Sequence, residues 1–131
     1  MIQCDAMSTT TIHPVRDYTP YVKHAREQAA LRRRQATARL ERAWVVARQI
    51  ADFLRAKYHP ARIVVFGSLV HPEIFHLHSD IDIAVDGIPW PDYLRAWNDV
   101  EVRFPEFKVD LIDVGIVSER MRQRIEEGRE I

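Results

Sequence analysis

The sequence predicts an α/β (α+β) protein, a small mixed sheet flanked by helices and led by one long N-terminal helix. Three observations carry this. Between Pro20 and Pro60 no Gly or Pro interrupts the chain, and Ala, Arg, Leu, Glu and Gln dominate, all strong helix formers. Three short runs, RIVVF (62–66), DIDIAV (80–85) and FKVDLIDV (107–114), have the length and apolar content of strands. Helical periods lie between and after them. The order helix, strand, strand, helix, strand, helix describes a small sheet covered by helices.

Residues 1–19 show no period and read as a flexible N-terminus. Thr19 suits an N-cap and Pro20 the first helical position. The helix, expected over 20–58, carries a stripe at Leu40, Ala43, Ala47, Ile50 and Leu54, widened by Trp44, Val46 and Phe53, so this half lies on a core. The first half has Arg32-Arg33-Arg34 among scattered alanines and only a thin apolar face. The residue before Pro60 is pushed out of the α region, which ends the helix. Residues 60–131 form the remaining single domain. Tyr93, Leu94, Trp97, Val100 and Phe104 mark its first helix; Ser118 caps the second, which stops near Gly128. Trp44 and Trp97 sit in helical stripes and are expected in the core. Trp90, between Pro89 and Pro91, is expected to be exposed.

The net charge is zero, but it is unevenly spread. Residues 1–59 hold eleven Lys and Arg against five acids, and the remainder returns the balance. A basic half beside an acidic half suits an acidic or nucleic-acid partner; a solvated helix face is the ordinary alternative. No apolar run has the length of a membrane span. The N-terminus lacks a secretory pattern and Cys4 is the single cysteine, so a cytoplasmic location is expected.

The chemistry lies in RIVVFGSLVHPEIFHLHSDIDIAVD. Asp80 and Asp82 fall on one face of a strand, about 7 Å apart. Like charges so close repel, and a divalent cation with oxygen ligands relieves this best. On an edge strand the same pair would merely face solvent. The preceding Gly67-Ser68 favours the metal reading. Gly permits close backbone approach, and the following N–H groups with the Ser hydroxyl can cradle a phosphate. Asp110, interrupting a later apolar strand, is a third acid for the same cup. Phosphate cradle, carboxylate pair and third acid are the parts phosphoryl-type chemistry needs. His71, His76 and His78 read as polar loop residues rather than a zinc site, since no Cys joins them. Neither GxxxxGK[ST] nor GxGxxG occurs.

At FGS…SDIDIAV and VDL the sequence resembles the nucleotidyltransferase superfamily that includes DNA polymerase beta, and most of all its minimal nucleotidyltransferases. The resemblance runs from Ala61 to Ile131. It implies the nucleotidyltransferase fold and transfer of a nucleoside monophosphate, AMP from ATP, with two Mg²⁺ ions. By the same resemblance Asp80, Asp82 and Asp110 are catalytic and hold the metals, with Asp110 helping to deprotonate the acceptor hydroxyl. Gly67, Ser68 and Ser79 bind the nucleotide. Minimal members resemble antitoxins that modify a HEPN-type helical toxin protein in a hetero-oligomer, and residues 20–40 are a candidate docking surface for it. The alternatives are a degenerate antitoxin that acts by binding alone, and transfer to a small molecule or RNA; a nucleic-acid partner stays open. Two departures stand out. The loop Leu69–Ser79 is one residue longer than usual in the family, and His71-Pro72 replaces the basic residue and Gly that many relatives carry.

Overall fold

Helix α1 spans Thr19–Tyr58, close to the expected range. The computed structural model describes residues 16–131, in two units, 16–32 and 33–131. Most of the stretch expected to be flexible, 1–19, lies outside the described residues. The α1 start differs in detail from the expected cap: the Asp17 carboxylate accepts the Thr19 N–H at 2.9 Å, in place of Thr19 capping the helix itself. The Thr19 side chain, and after it this N–H, holds the Asp17 carboxyl below its usual range by hydrogen bonding. The stripe behaves as its spacing demands. Ala43, Val46, Ala47, Ile50, Ala51 and Leu54 are buried, and no α1 residue before Ala43 is. His59 closes the helix in the left-handed region, φ +51°, its N–H donating to the Leu54 carbonyl.

The sheet has four strands in the order β3-β2-β1-β4. Strands β1 (Arg62–Phe66) and β2 (Ile81–Asp86) are antiparallel, with Phe66 opposite Asp82. Strand β3 (Val109–Asp113) joins β2 in parallel, with Asp110 beside Asp82. Helix α2 (Trp90–Arg103) makes the crossover between β2 and β3. Helix α3 (Glu119–Glu126) follows, capped by the Ser118 hydroxyl accepting from Met121 N–H. A two-residue strand β4 (Arg129–Glu130), absent from the sequence reading, pairs with β1.

Alternation along the strands makes two cores. Ile63, Val65, Ile81, Ile83, Val85 and Leu111 pack with the second half of α1 and with α2. Val64, Phe66 and Ala84 point the other way, to Ile125 and Met121 of α3. Asp82 and Asp110 share this second face. Trp44 is partly buried, as its stripe suggests. Trp97 corrects the expectation: it is 44 % exposed, because Ala96 and Val100 form the buried edge of α2 and Trp97 lies one step round the helix. Trp90 is exposed, as expected, and stacks on Tyr93.

Gly128 lets α3 turn back onto β1. A Cβ there would meet the Val65 carbonyl oxygen at 2.5 Å and the Ile125 carbonyl oxygen at 2.9 Å. Backbone atoms cannot step aside. Gly128→Ala is therefore expected to cost about 2 kcal/mol through overpacking. Chemical denaturation would check this, and an unchanged midpoint would refute the close approach.

Candidate active site

The site is built where β1 and β2 meet. Strand β1 ends in a 3₁₀ turn, Gly67–Val70, anchored by buried Leu69. Gly67 has φ +74°, a region costly for any residue with a Cβ. It also faces Asp82 so closely that a Cβ would overlap the carboxylate. The Gly-Ser turn and the Asp-x-Asp strand are thus one packed unit.

Asp82 and Asp110, neighbours across the parallel β2–β3 pair, lie on the α3 face. The Asp82 carboxyl is pushed up from 3.8 to about 6. Burial is the main cause; next come the charge of Asp110 and a hydrogen bond with it, then the charge of Asp80, against the pull of Arg124. Asp80 lies just before β2 and has Lys108 Nζ at 3.9 Å. The structure therefore brings Asp80, Asp82 and Asp110 to one end of the sheet, beside Gly67 and Ser68.

Ser79 is placed differently. It is 6 % exposed and its hydroxyl accepts the His76 N–H at 2.9 Å, so it organises the loop. Its carbonyl lies 3.5 Å from Arg39 Nη2, and the Arg39 guanidinium stacks 4.3 Å over Phe107. The loop is pinned further by buried Phe75. His76 and His78 have ring centroids 6.3 Å apart, and His71 reaches Glu73 at 3.5 Å. Asp113 accepts the Gly115 N–H and caps the following 3₁₀ turn.

The donor set suits a hard divalent cation: three carboxylates, with the Asp82 carboxyl raised by burial and then by the charge of Asp110 beside it. Among the described residues no three His, Cys, Asp or Glu side chains close around a common point. Sequence reasoning missed Lys108 and Arg124. The signal for them is indirect: the loop 69–79 contains no Lys or Arg, so counter-charge must come from elsewhere in the fold.

Residues 48–131 match the family described as polymerase beta, nucleotidyltransferase. No curated protein matches the chain. Similar solved structures include a mutant of the toxin–antitoxin MntA–HpeT, 26% identical, covering 64% of this chain and 69% of that one, with a TM-score of 0.52. Another is a toxin–antitoxin with AMP-PNP, also 26% identical, covering 64% and 70%, with a TM-score of 0.52. Among the described residues no helix is long and apolar enough to cross a membrane.

Proposed function

We propose that this chain, which belongs to the polymerase beta nucleotidyltransferase family, is a Mg²⁺-dependent adenylyltransferase that moves AMP from ATP to a hydroxyl of a partner protein. The observation that carries the reading is the gathering of Asp80, Asp82 and Asp110 beside the Gly67-Ser68 turn. Likeness to toxin–antitoxin structures, one with AMP-PNP, supports an adenine nucleotide and an antitoxin role, and the partner in this reading is a HEPN-type helical toxin. The exposed basic first half of α1, residues 20–40, is the surface offered to that partner in a hetero-oligomer.

The step itself balances simply. The acceptor oxygen bonds to the α-phosphorus, the bond from that phosphorus to the β-bridging oxygen breaks, and pyrophosphate leaves. Asp110 takes the hydroxyl proton. Asp80, Asp82 and Asp110 would hold the metal, and Gly67 and Ser68 would hold the triphosphate tail. Mg²⁺ bound there supplies neutralisation of charge on the attacking and leaving oxygens.

A second reading, an antitoxin that silences its partner by contact alone, is favoured by one observation. Loop 69–79 beside the Gly-Ser turn carries His71-Pro72 and no Lys or Arg to meet a triphosphate. One experiment separates the two. The protein, a co-purifying partner, Mg²⁺ and ATP labelled at the α-phosphate are incubated, and label and intact mass of the partner are read. An AMP-sized gain that is lost in Asp80→Asn is expected. No gain, with the complex intact, would establish the contact reading.

A further inference from the structure

A nucleoside triphosphate is a dense anion, and proteins hold such tails with charge-assisted hydrogen bonds. Loop 69–79, which continues from the Gly-Ser turn, offers no Lys or Arg. The α3 face of the sheet offers one. The Arg124 guanidinium lies over the Phe66 ring, with its Cζ 5.7 Å from the centroid. Phe66 is buried, stands opposite Asp82 across the β1–β2 pair and directly precedes Gly67. The ring is therefore a rigid platform, and Arg124 itself is exposed. Among the described residues Arg124 makes no salt bridge, whereas the other nearby cation, Lys108, is at Asp80.

Position across the sheet says which phosphates it would meet. Asp110 stands on β3, Asp82 on β2 and Phe66 on β1. With the acceptor hydroxyl at Asp110, an in-line displacement sends pyrophosphate the opposite way, toward β1. Gly67, Ser68 and Arg124 lie there.

We infer that Arg124 binds the β- and γ-phosphates of the nucleoside triphosphate, supplying from α3 the cation that the Gly-Ser loop lacks. This rests on the nucleotidyltransferase reading above. The fork geometry of Arg makes it a two-pronged phosphate ligand, which Lys cannot copy.

Calorimetric titration with ATP, ADP and AMP in Mg²⁺ tests it on the full chain, the Arg124→Ala variant and the Arg124→Lys variant, each first shown to melt like the wild type. Arg124→Ala is expected to weaken ATP binding about tenfold to a hundredfold, the range of a charged hydrogen bond. ADP should weaken less and AMP less than about twofold, with Arg124→Lys in between. Equal ATP affinity in Arg124→Ala overturns the inference and leaves the enzyme reading standing. An equal loss for ATP and AMP also overturns it, since Arg124 would then act only through Asp82. A wild type that binds none of the three overturns both readings.

Discussion

Asp82→Asn is expected to abolish nucleotidyl transfer and, at neutral pH, to make the protein more stable. The two effects share a cause. The Asp82 carboxyl is pushed up to about 6 from 3.8 by burial and by Asp110 and Asp80, so the folded state holds its proton more tightly than the unfolded state does. The stability tied to that proton is fully present below pH 3.8 and is lost as pH rises through about 6. A shift of this size corresponds to about 3 kcal/mol, which solvent screening of a half-exposed group reduces to about 1–2 kcal/mol. Asn keeps the shape, carries no charge and can donate to Asp110. Melting curves of the variant and the wild type should therefore separate at pH 7.5 and converge near pH 4. Transfer should fall by about a thousandfold, the several kcal/mol that metal-held charge supplies. Mg²⁺ with nucleotide should stabilise the wild type and leave the variant unmoved. Superimposed melts at pH 7.5 would show that Asp82 bears no electrostatic load.

Gly67→Ala is expected to disable the site through geometry. At φ +74° a Cβ costs about 1–3 kcal/mol in backbone strain alone. The new atom would also overlap the Asp82 carboxylate, which must then swing away. A displacement of about 1 Å at a reacting centre can cost about a hundredfold in rate. A double-mutant cycle separates strain from overlap. In an Asp82→Ala background only the strain remains, so Gly67→Ala should destabilise less than it does in the wild type. Equal costs in both backgrounds would mean that the turn never touches Asp82.

Much of the fold was legible because it rests on period. The stripe buries Ala43, Val46, Ala47, Ile50 and Leu54, with Leu40, Trp44 and Phe53 partly buried at its edges, and the strands RIVVF and DIDIAV bury their apolar residues. Trp97 was misread because Trp97 and its neighbour Ala96 both fit a helical stripe, and only the sheet beneath α2 selects Ala96 and Val100. Strand β4 was invisible because Arg129-Glu130 has no period; it is a strand only because Gly128 lets it lie along β1.

The acids at 80, 82 and 110 stood out as charges inside apolar strands, a pattern that local chemistry alone makes costly. The Gly-Ser pair at the end of β1 was equally plain. Their mutual contact was not. That Gly67 abuts Asp82, that Asp110 sits beside it, and that Arg124 stands over Phe66 depend on strand register and on which face α3 covers. Periodicity and charge are properties of neighbours along the chain, so the sequence carries the elements and the residue types of the site. The distances between those residues are set by packing, which only the folded sheet and its helices decide.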